Sequence, residues 1–155
     1  MTDFRILGAE DAAELAELHG QGFDSPWTPD SFTALLSRPA SFGLGVIDGS
    51  PPQLAGFGLF QRVGDEAEIL TLVVADKFRR KGLARALLWN TEKHLSARGC
   101  TRLFLEVAED NLAALSLYDS LDFRLEGRRS RYYSRGQDEA ADAFVMSRMI
   151  TGLPG

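Results

Sequence analysis

Val73-Val74-Ala75-Asp76-Lys77-Phe78-Arg79-Arg80-Lys81-Gly82-Leu83-Ala84 is the stretch from which the rest of the chain can be read. It closes an apolar run, residues 69–74, that suits a central strand covered on both faces. It opens a helix over about 82–98, with Leu83, Leu87, Thr91 and Leu95 on one side. Three consecutive cations, Arg79, Arg80 and Lys81, stand just before that helix, and the small residues Gly82 and Ala84 begin it. A helix N-terminus presents unpaired N–H groups and a partial positive charge. A glycine turn there lets backbone N–H groups come close to phosphate oxygens. The spacing is not a Walker loop, since Lys and Ser/Thr do not follow Gly82, and it is not the G-x-G-x-x-G of a dinucleotide fold. Taken locally, the three cations read equally well as a solvated cluster ahead of a helix that starts at glycine.

Working outward, residues 4–7 read as a first strand and 9–20 as an amphipathic helix with Ala12, Leu15 and Leu18 at helical spacing. Thr28-Pro29-Asp30 starts a second helix with a capping hydroxyl, a proline and an acid, and that helix ends near Arg38-Pro39. Residues 42–47 and 54–61 form an antiparallel pair across the turn Asp48-Gly49-Ser50-Pro51-Pro52. A longer strand covers 66–75, and Gly99 is placed to stop the helix that follows. Strand 103–107, helix 111–121 and strands 123–128 and 143–149 complete the chain. The order β-α-α-β-β-β-α-β-α-β-β predicts an α/β fold, a mixed sheet with helices on both faces. Residues 1–150 read as a single domain and 151–155 as a flexible tail.

Composition narrows the function classes. The 155 residues suit one domain with a real core, and 45% hydrophobic with 25% charged residues is average for a soluble globular protein. The net charge of -5 weighs against nucleic-acid binding and favours a basic partner. No apolar run approaches a membrane span, and the first residues lack a signal-peptide pattern, so a cytoplasmic location is expected. The single cysteine, Cys100, excludes an internal disulfide and a cysteine-based zinc site. The two histidines, His19 and His94, lie far apart in sequence, and no metal is expected.

The pattern Arg79-x-x-Gly82-x-Ala84 after an apolar strand resembles the acetyl-CoA pyrophosphate loop of the GCN5-related N-acetyltransferase superfamily. The later run Leu105-Glu106-Val107, then Asn111, then Leu117-Tyr118 ahead of Phe123, is similar to the second half of that domain. Arg128-Arg129-x-Arg131-Tyr132-Tyr133, Asp142-Ala143 and Pro26-Trp27 bring the resemblance to the branch of bacterial ribosomal-protein alanine N-acetyltransferases. The likeness spans nearly the whole chain. Two departures stand out. Ala84 replaces the second loop glycine, and Asp122 stands where the family's Leu-Gly-Phe has glycine. Asp tolerates a left-handed backbone better than most residues.

The resemblance implies a mostly antiparallel sheet with one parallel pair of central strands that splay apart, and acetyl-CoA lying in the splay. It assigns the backbone of Leu72, Val73 and Val74 to the pantetheine chain. It assigns Arg79, Arg80, Lys81, Gly82, Leu83 and Ala84 to the pyrophosphate. Asn111 would touch the pantetheine region, although Asn is also a preferred helix N-cap, and both roles stay open. The reaction it implies is direct attack of an amine on the thioester, with Glu106 as general base and Tyr118 as the acid that protonates the leaving thiolate. A phenol of pKa about 10 donates without being ionised at rest, whereas a carboxylate near about 4.3 needs burial or a relaying water to act as a base. Glu68, at the start of the central strand, is a rival base or a substrate-orienting group. Phe23, Pro26 and Trp27 would line substrate entry from one side, and Tyr132 and Tyr133 from the other. Trp27 reads equally well as cover for a core edge. Asp138, Glu139 and Asp142 would attract a basic peptide tail.

The implied acceptor is the N-terminal Ala of a small-subunit ribosomal protein. An α-amine of pKa roughly 7.8 is easier to deprotonate than a lysine of roughly 10.4, by about 3.5 kcal/mol. A weak carboxylate base therefore suits the α-amine. Lysine or a small-molecule amine is the rival acceptor, and a non-catalytic acetyl-CoA-binding module is the rival class. Nothing in the sequence demands more than a monomer or weak dimer.

Overall fold

A computed structural model describes residues 2–21, 27–130 and 142–150. The elements run β1 (Asp3–Leu7), α1 (Ala12–His19), α2 (Pro29–Leu36), β2 (Ser41–Asp48), β3 (Gln53–Val63), β4 (Glu66–Val74), α3 (Leu83–Ser96), β5 (Arg102–Ala108), α4 (Leu112–Ser120), β6 (Arg124–Arg129) and β7 (Ala143–Met149). This is the order that the hydrophobic pattern predicts. Short 3-10 turns cover Ala9–Asp11 and Asp76–Phe78. The first helix therefore starts later than its periodicity suggests. Asp11 accepts the Gly8 N–H at 2.9 Å and pairs with Arg5 at 3.2 Å, which spends the first turn on a local cap. The expected tail, residues 151–155, lies outside the described residues.

Caps mark the helices where the sequence placed them. Thr28 accepts the Ser31 N–H at 3.1 Å, and Asn111 accepts the Ala114 N–H at 3.1 Å. After α3, Gly99 takes a φ of +83° and the Cys100 N–H closes back on the Leu95 carbonyl at 3.0 Å.

The seven strands form one sheet in the order β1-β2-β3-β4-β5-β7-β6. Every neighbouring pair is antiparallel except β4 with β5. Helices cover both faces. On one, Phe32 of α2 meets Phe57 of β3 edge-on at 5.8 Å. On the other, Phe42 of β2 stacks on Phe60 of β3 at 5.2 Å and lies 4.7 Å from His94 of α3. From that second face Arg148 of β7 reaches Glu92 of α3 at 2.5 Å and donates to the Leu121 carbonyl, just past α4, at 2.7 Å. This ties α3 and the end of α4 to the same strand.

The parallel pair carries the functional geometry. β4 and β5 are in register only at Glu66 with Arg102, Ala67 with Leu103 and Glu68 with Phe104. Beyond that point β4 continues on β3 alone and β5 on β7 alone. Leu59 and Phe60 of β3 pair with Thr71 and Ile69, so Leu70 is an extra residue in β4 where the parallel ladder stops. A bulge there adds local twist and turns the end of β4 away from β5. The separated edges leave strand N–H and C=O groups that need other partners.

Candidate acetyl-transfer site

Between the parted strands lies a cleft of about 690 Å³. Leu70, Thr71, Leu72, Val73 and Val74 form one wall, and Glu106, Val107 and Ala108 of β5 face them. The turn after β4 and the first turn of α3 close one end through Arg79, Arg80, Gly82, Leu83, Ala84 and Arg85. Asn111, Ala114, Leu117, Tyr118 and Leu121 supply the side toward α4. Most of the residues expected from sequence therefore meet in one place. Lys81 is an exception. It is not one of the walls, and its ammonium lies 5.2 Å from the ring centre of Phe78.

The loop is shaped by its backbone. Arg79 donates from Nε to the Val74 carbonyl at 3.0 Å and pairs with Asp76 at 3.0 Å, folding the loop back on the strand end. Arg80 has φ +65° and Gly82, the N-cap of α3, has φ +75°. A Cβ at Gly82 would meet nothing within 4 Å, so the left-handed backbone, not crowding, calls for glycine. Such alternation turns successive N–H groups into a concave anion cradle at the positive end of α3. The left-handed Arg80 carried no local sequence signal.

Arg85 and Phe78 also line the cleft and were missed from sequence. Arg85 donates to the Ser120 carbonyl and lies 4.0 Å from Asp122, linking the start of α3 to the end of α4. Asp122 takes φ +68°, the conformation that glycine would adopt easily. An arginine on the cleft wall was visible in the sequence, but its partners, 35 residues away, were not.

At the other end stand the proton-transfer candidates. Tyr118 is 9% exposed and packs edge-on to Phe123 at 5.5 Å. Burial pushes its phenol up to about 12, so it stays protonated at any working pH. Glu106 is ion-paired with Arg129 of β6 at 3.0 Å. Glu68 is not one of the cleft walls. Burial first, then the Glu106 charge, raises its carboxyl above the usual range, while Arg129 opposes the shift.

Trp27 lies apart from the cleft. It stacks on His19 at 5.0 Å, lies 5.5 Å from Phe32, and donates its backbone N–H to His19 Nδ1 at 3.2 Å. That is the core-edge role. Burial lowers the His19 pKa to about 4, so the ring is neutral. Phe23, Pro26, Tyr132 and Tyr133, with Asp138 and Glu139, lie outside the described residues. Cys100 is buried and its thiol is raised by burial, which leaves it inert. Among the described residues no cluster of His, Cys, Asp or Glu is arranged to hold a metal ion, and no helix is long and apolar enough to cross a membrane.

The residues present fit a long thioester with a pyrophosphate. Strand edges lie open along the cleft, an N–H cradle closes one end, and a protonated phenol stands in the wall. The family model for the acetyltransferase (GNAT) family matches residues 12–123, a span that contains the loop, both parted strands, Glu106 and Tyr118. The chain belongs to this family. It is an N-acetyltransferase that takes its acetyl group from acetyl-CoA. The chain is 30% identical over 151 residues to a "[Ribosomal protein bS18]-alanine N-acetyltransferase" of Salmonella typhimurium, covering 97% of this chain and 99% of that one. It is 38% identical over 148 residues to "N-alpha-acetyltransferase RimI" of Mycobacterium tuberculosis, covering 92% and 89%. The crystal structure of the ribosomal-protein-S18-alanine N-acetyltransferase from Escherichia coli superposes with a TM-score of 0.82 at 29% identity, covering 100% of this chain and 97% of that one.

Proposed function

We propose that this acetyltransferase modifies the α-amino group of a protein N-terminus, and that its acceptor is the N-terminal Ala of a small-subunit ribosomal protein. The observation that carries this is the end-to-end likeness to relatives named for that reaction. In this reading the loop N–H groups from Arg80 to Ala84 hold the pyrophosphate, and the open edge of Leu72, Val73 and Val74 pairs with the pantetheine. Asn111 caps α4 through Oδ1 and lines the cleft, so it touches the pantetheine region while fixing that helix. Glu106 takes the ammonium proton, directly or through a water, which frees the nitrogen lone pair to attack the thioester carbonyl. As the C–S bond breaks, Tyr118 gives its phenolic proton to the departing thiolate. Its high proton affinity suits a donor that must be protonated at the start of each cycle. Glu68 orients the amine beside Glu106. Phe23, Tyr132 and Tyr133 are proposed to contact the first residues of the acceptor, whereas Trp27 packs on His19 and Phe32.

The test is CoA release with two matched peptides. One begins with a free Ala and contains no Lys; the other is N-terminally blocked and contains one Lys. Transfer to the first alone is expected. Transfer to the second alone would overturn the α-amine assignment and leave the family intact. Silence with both, alongside acetyl-CoA binding, would point to a small amine or to a non-catalytic module.

A further inference from the structure

Two acids and one base converge where β4 and β5 part. Glu68 is the last β4 residue in the parallel ladder, and its register partner is Phe104. Glu106 lies two residues beyond Phe104 on the same strand, so side-chain alternation puts both carboxylates on one face of the sheet. Burial first, then the Glu106 charge, raises the Glu68 carboxyl. Arg129 reaches the same spot from β6, two strands over. Its guanidinium lies 3.0 Å from Glu106, and its charge also acts on Glu68. The intervening β7 contributes Val145, paired with Glu106, which carries no charge. Arg102, on β5, is engaged elsewhere, with Glu66 and Glu126. Two adjacent carboxylates resist sharing a site without a counter-charge. The Glu106 side chain is 18% exposed and that of Arg129 is 64% exposed, so the acid is held inside the rim by a base that stands at it.

We propose that Arg129 is a positioning residue of the transfer reaction: its guanidinium serves Glu68 and Glu106 together, so that the acceptor end of the cleft offers one net negative charge to one incoming ammonium. This rests on the reading of Glu106 as proton acceptor. Without Arg129, the cluster meets one ammonium with two carboxylates. The charge that opposes the rise of the Glu68 carboxyl is then gone, and Glu106 loses the contact that aims it.

The experiment is the pH profile of kcat/KM for the Lys-free, Ala-initiated peptide, measured on wild type, Arg129→Gln, Arg129→Lys, Glu68→Gln and Glu106→Gln. The acid limb reports the coupled pair, not one residue. Arg129→Gln is expected to move that limb upward by about one pH unit, which lowers kcat/KM roughly tenfold at a fixed pH on the limb. Arg129→Lys keeps the charge and should leave the limb near its wild-type position. Adding Glu68→Gln to Arg129→Gln should bring the limb back down. A limb in Arg129→Gln that superimposes on wild type would overturn the proposal, as would a limb in Arg129→Lys displaced as far as in Arg129→Gln. Circular dichroism checks folding. If Arg129→Gln does not fold, Glu68→Gln alone must shift the limb downward, and an unmoved limb sinks the proposal. Wild-type turnover in Glu106→Gln would sink the base assignment instead. An inactive Glu106→Gln with an unmoved limb in Arg129→Gln removes only the role given to Arg129.

Discussion

The sheet has two unlike halves that meet where β4 and β5 part. On one side Val46, Phe57, Leu59 and Phe60 are at most 1% exposed, held between α2 on one face and α3 on the other. On the other side β6 is exposed along its whole length and is laced to its neighbours by charge. Arg102 bridges Glu66 and Glu126, Arg128 bridges Glu109 and Asp142, and Arg129 holds Glu106. Burial of apolar area is strong but non-directional, and it supplies stability. Exposed ion pairs add little stability but point a carboxylate in one direction. Both halves share one buried core, which includes Leu103 and Leu105 of β5, and the charged edge of the second adds the ion pair that aims Glu106.

That contrast can be broken at four places. The largest effect is expected at the seam itself. Tyr118→Phe should lower turnover by about 10²–10⁴-fold while acetyl-CoA binding and the unfolding midpoint barely move. Wild-type turnover in this variant would remove Tyr118 from the reaction. In the apolar half, Phe57→Ala should cost about 3–5 kcal/mol in urea unfolding, because the ring is fully buried against Phe32. A cost below about 1 kcal/mol would mean that burial here does not supply stability.

A third effect is a pH slope. Burial holds His19 neutral down to about 4, whereas the unfolded chain takes up its proton near the ordinary value of 6.5. Between these values the unfolded state binds more protons, so this contribution is complete above pH 6.5 and is lost as pH falls toward 4. The unfolding midpoint of wild type should therefore drop more steeply over that window than that of His19→Gln. Parallel slopes would contradict the buried neutral ring. The smallest effect is expected in the charged half. Arg102→Met should change stability by at most about 1 kcal/mol, despite the loss of two carboxylate partners, because those partners are solvent-exposed. A cost comparable to that of Phe57→Ala would erase the distinction between the halves.

Much of the site was legible because its signals are local. Gly82 marks the left-handed start of α3, Gly99 its end, Asn111 the cap of α4 and Asp122 the left-handed turn after it. Each depends on a conformation that a few residue types adopt cheaply. Trp27 was not legible in this way. An aromatic after a helix serves a pocket or a core equally well, and only its stacking on His19 decides for the core. Lys81 is similar, since three adjacent cations look alike in sequence while the loop places this one 5.2 Å from the Phe78 ring centre. Arg85 was passed over, and Arg129 was quoted only as part of a motif, because their partners lie 35 and 23 residues away.

The sequence by itself determined the element order, the caps and the loop that cradles an anion, because periodicity, capping and left-handed turns are settled within a few residues. Tertiary structure alone decided that β7 inserts between β5 and β6, and that a bulge at Leu70 turns β4 away from β5. It also decided that Arg129 meets Glu106. These are pairings between distant segments. They depend on which surfaces can be buried together and which charges must then find partners, and no local window contains both halves of such a choice.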